Sequence, residues 1–321
     1  MSHPALRRGG ALLLILLMAW PTMTVAATQA PSRTISHRPA AQQFAATRPA
    51  TRRTAVRHAR RMRRPPGGVV YARNAILLDP TTDSVLYEKA AETPAPIASL
   101  TKLMTALVYL EQNPDLRRGV EVTIPDLHGA GHTQLRNHEQ VPLYDLLHMS
   151  LMCSDNAATR VLVRSSGLDL DDFIDRMNRK AHELGLANTH FVEVTGLDER
   201  NISTAADIAR LLRVAADNAL IRDITTTTSY QFAAARTTRR GLVRHHIVNT
   251  NRLLHSRSID VSCGKTGFIL EAGYCLATWV HARGREMIAV VLGAPTNATR
   301  FADVVRLLQY TAPPVVTAPH S

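Results

Sequence analysis

Strand-like segments lie at both ends of the folded part of this 321-residue chain, with helical patterning between them. No other feature restricts its fold so much. Near the start, Asn74-Ala-Ile-Leu-Leu-Asp79 and Val85-Leu-Tyr-Glu-Lys89 flank the turn-rich Pro80-Thr-Thr-Asp83, which predicts a hairpin. Ser99 to Glu111 lacks Pro and Gly and repeats apolar residues every three or four positions, so a helix is expected there. From about Leu143 to Leu212 the pattern stays mainly helical, broken at Gly167, Gly185 and Gly196. Strand character returns at Ile259 to Phe268, Tyr274 to His281 and Met287 to Leu292. A last amphipathic helix is predicted from Ala298 to Tyr310, with Asn297 as its N-cap. Sheet segments that bracket a helical middle imply an α/β (α+β) fold: an antiparallel sheet flanked by helices, with a mainly helical insertion over about 116–222.

The folded body is expected to occupy residues 69–321, because the preceding stretch cannot build a core. Residues 28–68 hold ten arginines, no Asp or Glu, and few large apolar side chains. Such a segment buries too little surface to offset its ordering entropy, so it reads as a disordered Arg-rich linker. The chain's formal charge of +12 is accounted for by those ten arginines plus Arg7 and Arg8, leaving the body neutral. Residues 1–27 have the form of a signal peptide: Arg7-Arg8, an apolar run from Ala11 to Trp20, and small residues at Thr24-Val25-Ala26. The expectation is export to the periplasm; the alternative is a tether to the outer face of the inner membrane through an uncleaved signal. Export removes nucleic acid from the list of partners for the arginine run. An anionic membrane or wall polymer remains, as does a tether that binds nothing in particular.

Three short motifs carry the chemistry. Ser99-Leu-Thr-Lys102 opens a predicted helix, where residues three apart share a face. A serine hydroxyl needs a base to become a nucleophile, and Lys102 can serve if burial favours its neutral amine. Ser154-Asp155-Asn156 adds a hydroxyl able to relay a proton and an amide able to hold a substrate backbone. In Lys265-Thr266-Gly267, on a predicted strand, a cation and a hydroxyl can bind a carboxylate while glycine lets a peptide lie close. Ser-x-x-Lys or Ser-x-Asn alone arises by chance about once in a chain of this length, and Lys-Thr-Gly in roughly one chain in ten to twenty. Their order and their placement on a helix start and a strand make the trio specific.

At these residues the chain resembles the low-molecular-weight penicillin-binding D-alanyl-D-alanine carboxypeptidases and endopeptidases. The likeness extends through Pro96 to Thr105, Met149 to Ala158, His190 to Leu197, Asn249 to Leu254 and Cys263 to Phe268, and spans about Val69 to Tyr310. It implies a β-lactamase/transpeptidase-like fold and a serine D-alanyl-D-alanine peptidase that acts on peptidoglycan and is acylated by β-lactams. Carried over residue by residue, it makes Ser99 the nucleophile, Lys102 its base, Ser154 the proton relay and Asn156 a ligand of the substrate amide. Lys265 and Thr266 bind carboxylate, Gly267 lies against the substrate, and the N–H groups of Ser99 and Phe268 form the oxyanion hole. Arg300 matches a family arginine that approaches the substrate carboxylate. No cofactor is implied. Carboxypeptidase-type members often add a β-rich second domain and a C-terminal anchor. Here Tyr310 is followed by Pro313 to Ser321, so the expected architecture is nearer the penicillin-binding protein 7 endopeptidase type.

Two rival functions are a class A-like β-lactamase and a catalytically inactive wall-binding protein. The lactamase needs a deacylating glutamate in a Glu-x-x-Leu-Asn context, which is missing between Asn156 and Lys265, although Glu193 and Glu199 lie in that interval. The intact trio disfavours the inactive reading. The fourteen histidines show no metal-ligand spacing. Cys263 and Cys275 straddle a predicted hairpin, either as a cross-strand pair or as two buried thiols, and Cys153 reads as small core filling.

Overall fold

A computed structural model describes residues 68–236 and 239–310. The signal segment, the linker up to Gly67 and residues 311–321 lie outside the described residues. Strands β1 (Asn74–Asp79) and β2 (Ser84–Lys89) form the first hairpin, followed by β3 (Ala95–Pro96), a 3-10 turn (Ala98–Leu100) and helix α1 (Thr101–Leu110). The middle contains β4 (Gly119–Glu121), α2 (Ile124–Leu127), β5 (Glu139–Pro142), α3 (Leu143–Met152), α4 (Asn156–Ser165), α5 (Leu170–Glu183), β6 (Ile202–Ser203), α6 (Ala205–Asp217) and α7 (Ala219–Thr226). Then come β7 (Ser229–Arg236), β8 (Arg239–Val248), β9 (Asp260–Ile269), β10 (Gly273–Ala282), β11 (Arg285–Ala294) and α8 (Asn297–Leu307).

The main sheet is antiparallel in the order β2-β1-β11-β10-β9. Its centre joins the two ends of the folded part: Leu77 of β1 lies opposite Ala289 of β11. That closure leaves β9, which carries Lys265-Thr266-Gly267, on the edge. The unbroken apolar run from Met287 to Leu292 follows from burial on both faces. Ile288, Val290 and Leu292 face the large helical core, while Met287, Ala289 and Val291 face a second core with Phe301, Val304 and Leu307 of α8. Burying each large aliphatic side chain in this way contributes about 1.5–3 kcal/mol. Asp303 of α8 is fully buried and accepts the N–H groups of Tyr71 (3.0 Å) and Ala72 (2.7 Å), which ties the start of the body to the helix.

Several local expectations change. Ser99 sits in the 3-10 turn ahead of α1 instead of in its first α-helical turn. The final helix is capped by Thr296, whose Oγ1 accepts the Thr299 N–H at 3.0 Å; Asn297 is already helical. Cys263 lies opposite Trp279 and Cys275 opposite Gly267, so the two cysteines are four rows apart along the β9–β10 ladder. Four rows are about 13 Å, beyond the reach of a disulfide. Both are buried free thiols, with their pKa values pushed up to about 11 by desolvation. A smaller sheet, β4-β5-β7-β8, stands beside the helices and was not expected from the patterning.

Candidate active site

The nucleophile candidate is held by its own turn. Ala98 has φ +49°, a left-handed conformation that costs a non-glycine residue about 1–2 kcal/mol. The neighbouring Thr101 Oγ1 bonds the Ala98 carbonyl at 2.8 Å and steadies the turn. Lys102 follows one turn later, and its Nζ lies 3.1 Å from Ser99 Oγ. The same Nζ donates to Asn156 Oδ1 at 2.6 Å and to the Thr195 carbonyl at 2.5 Å. Lys102 has no exposed surface. Burial lowers its pKa from 10.5 to about 7; Glu193 and Asp155 pull in the opposite direction. An amine near neutrality beside a serine hydroxyl is equipped to take its proton.

Ser154-Asp155-Asn156 forms the opposite wall, and its middle residue explains the geometry. Asp155 is the N-cap of α4, accepting the Ala158 N–H at 2.9 Å. It starts the helix at Asn156, whose amide then spans the site, accepting from Lys102 and donating to the Ala130 carbonyl at 2.8 Å. Ser154, at φ +64°, is a second left-handed residue and turns its hydroxyl toward β9. Strain of this kind persists only where surrounding bonds over-determine it. Here the Asp155 N–H donates to Met149 O and the Thr250 N–H to Met152 O, each at 3.0 Å.

On β9, Lys265 is 1% exposed and donates to Ser154 Oγ at 2.9 Å and to the Thr266 carbonyl at 2.9 Å. Burial first, then the charge of Lys102, holds its pKa well below the usual lysine value. Each lysine is therefore paired with one serine hydroxyl, an arrangement that can take a proton on one side of a reacting carbonyl and return it on the other. Thr266 Oγ1 shares a 2.6 Å hydrogen bond with Thr250 Oγ1. Gly267 packs against the nucleophile's own peptide: a Cβ there would stand 2.9 Å from Ile97 O and 3.0 Å from Ser99 N. That contact brings the Ser99 N–H beside the peptide leading to Phe268.

Arg300 reaches the same strand from α8 and is 6% exposed. Its Nη1 donates to the carbonyls of Gly267 (3.0 Å) and Cys275 (3.3 Å), and its guanidinium lies over the Tyr274 ring. Burial lowers its pKa to about 10. Because a peptide is planar and trans, tying back the Gly267 carbonyl aims the Phe268 N–H to the other side. In this arrangement Nη1 of Arg300 orients a donor, while its buried Nε has no hydrogen-bond partner.

The structure gathers the predicted residues into two hydrogen-bonded sets, Ser99 and Asn156 on Lys102, and Ser154 and the Thr266 carbonyl on Lys265, joined in the chain through Ser154-Asp155-Asn156, with Gly267 against the Ser99 N–H. The sequence reading gave no site role to Thr195, Gly196, Ala130 or Thr250, which supply backbone or hydroxyl contacts to these residues. Gly196 is required by closeness and by its φ of +87°: a Cβ there would fall 2.0 Å from Ala98 O. Of the two acids weighed for a lactamase, Glu199 is exposed, and Glu193 is taken up by N–H groups of its own loop.

The model of a family described as D-alanyl-D-alanine carboxypeptidase matches residues 60–296. The chain is 34% identical over 253 residues to the D-alanyl-D-alanine endopeptidase of Pseudomonas aeruginosa, covering 76% of this chain and 78% of the relative. It is 34% identical over 237 residues to the enzyme of that name from Escherichia coli, covering 73% and 75% respectively. Among solved structures, the Streptomyces K15 DD-transpeptidase superimposes with a TM-score of 0.71 at 29% identity, covering 75% of this chain and 97% of that one.

Proposed function

This chain belongs to the D-alanyl-D-alanine carboxypeptidase family of serine peptidases, and from that premise we propose that its main reaction is endopeptidic cleavage of peptidoglycan cross-links. The activity class, a serine peptidase acting at D-alanyl bonds of peptidoglycan, follows from the family itself. The endopeptidase preference is supported by the names of the relatives just described; a cleft of about 960 Å³ lies along α4 and the 193–199 loop. Gly129, Arg160, Leu168, Leu197 and Glu199 are among its lining residues.

In this reading, neutral Lys102 takes the Ser99 proton as Ser99 Oγ adds to the D-alanyl carbonyl. The oxyanion is held by the N–H groups of Ser99 and Phe268. As the C–N bond breaks, the proton reaches the departing amine through Ser154 Oγ, with Lys265 poised behind it. Water then releases the acyl group from Ser99, regenerating the enzyme. The observation that carries this sequence is the 3.1 Å contact between Ser99 Oγ and an amine whose pKa is about 7. A β-lactam presents the same kind of carbonyl and should acylate Ser99. The test is to incubate the protein with cross-linked muropeptides and terminal pentapeptides and weigh the products. Monomer formation from the cross-linked substrate supports endopeptidase action; loss of terminal alanine alone would assign a carboxypeptidase. We further propose that residues 1–27 direct export to the periplasm, and that the Arg-rich linker holds the enzyme near anionic membrane or wall polymers.

A further inference from the structure

Glu193 lies in an irregular stretch between α5 and β6, yet it is among the most heavily hydrogen-bonded side chains near the site. One oxygen accepts the Thr195 N–H (2.7 Å) and hydroxyl (2.6 Å). The other accepts the N–H groups of Gly196 and Leu197 and the Asn201 side-chain amide. Five donors fill the roughly four lone-pair sites of one carboxylate, so no acceptor capacity is left for a water. Asn201, with no exposed surface, also bonds Thr101 Oγ1 at 3.1 Å, and Thr105 Oγ1 donates to Val194 O at 2.7 Å. The loop is thereby pinned to α1 on either side of Lys102.

What the loop presents to the site is its backbone. The Thr195 carbonyl takes a hydrogen bond from Lys102 Nζ, and Gly196 presses against the Ala98–Ser99 peptide. We propose that Glu193 is a positioning residue for acylation: its carboxylate folds residues 195–197 into the wall that orients Lys102 and backs the Ser99 peptide. This rests on the reading of Ser99 and Lys102 as nucleophile and base. It also gives the loop a second, electrostatic effect. The charged or titratable groups acting on Lys102 are Glu193, Asp155 and Cys153, which favour its ammonium, and Arg160, which opposes it; Lys265 lies across the site. Glu193 heads that set, so removing its charge weakens the hold of Lys102 on its proton.

The test uses the full chain and follows Ser99 acylation by a fluorescent penicillin from pH 5 to 9, for the native protein, Glu193→Gln and Glu193→Asp. Native labelling at Ser99 establishes the underlying reading; its absence would defeat that reading and not the role of Glu193. For Glu193→Gln the acylation rate constant should fall on the order of 10- to 100-fold, as expected when reacting groups are misplaced by about an ångström. The rising limb of its pH profile should move to lower pH. Glu193→Asp keeps the charge with a shorter reach, so its rate should fall while its limb stays. A native rate and profile in both variants overturns the proposal. So does a slower rate with an unmoved limb in Glu193→Gln, which would mark a loop that matters only for folding. Unchanged acylation with slowed release of the acyl group would make Glu193 a deacylating base and overturn it as well.

Discussion

Lys102→Arg tests the reading at its most exposed point, because it keeps a positive charge and removes only the neutral amine. A lysine with the usual pKa of 10.5 is neutral in about one molecule in 3,000 at pH 7. Burial brings Lys102 to about 7, so about half the molecules carry the free amine at that pH. This gain of roughly three orders of magnitude in competent enzyme is what the fully enclosed position of Lys102 contributes. Arginine does not deprotonate in proteins, so burial cannot do the same for it. The acylation rate of Ser99 by a fluorescent β-lactam should drop by 10²–10⁴-fold, the range for losing a general base.

The pH profile of the native protein adds an independent check. Acylation requires the deprotonated amine, so the rate should rise about ten-fold per pH unit up to about pH 7 and then level off. The same displacement is a statement about stability. Since the unfolded chain binds this proton more tightly, the penalty for burying Lys102 is full below about pH 7 and fades as pH rises toward 10.5. Its size is up to roughly 5 kcal/mol, at about 1.4 kcal/mol per pKa unit. A native profile still climbing at pH 9, or a Lys102→Arg protein retaining more than a tenth of the native rate, would refute the assignment of Lys102 as base.

Lys265→Arg should be milder, since a cation still faces Ser154; a loss of acylation as deep as that of Lys102→Arg would contradict the division of roles. Gly267→Ala should cut acylation about 100-fold, a loss larger than its stability cost of about 1–3 kcal/mol explains, because its Cβ would crowd Ser99 N and Ile97 O and shift β9 off Ser99. Asp303→Ala should affect stability alone. Stranding the buried Ala72 N–H and loosening Tyr71 and the part-exposed Arg306 should cost about 1–3 kcal/mol in urea unfolding, while acylation per folded molecule is unchanged. Deleting residues 28–66, which spares the Gly68 carbonyl bonded by Tyr310, should leave acylation within about two-fold, roughly 0.4 kcal/mol. Sedimentation with anionic vesicles at low salt should fall in that deletion; equal binding would reduce the linker to a spacer.

What could be read from the residues, and what could not, divides along physical lines. The central strand announced itself because Met287 to Leu292 is apolar at every position, which only burial on both faces explains. The hairpin of β7 and β8 did not. Its strands contain Ala233-Ala-Ala235 and a run of Arg and His, weak strand formers that pair because Tyr230 and Phe232 stack on His148 (3.9 Å) and His245 (4.7 Å). The three motifs were legible as local spellings, since each keeps its residues within three or four consecutive positions at a turn, a helix start or a strand. The pairing of Lys102 with Ser99 follows from helical spacing. The pairing of Lys265 with Ser154, 111 residues apart, depends on how β9 meets the turn before α4, and no local pattern encodes that. Glu193 shows the limit most clearly. In the sequence it is an acid between the second and third motifs, where a lactamase would keep its deacylating glutamate. In the fold its oxygens are spent on the loop's own N–H groups and on Asn201, so the same residue type in the same interval serves the base and not the water. Residue identity names a chemical capacity; the donors that surround it decide whether that capacity is free to act.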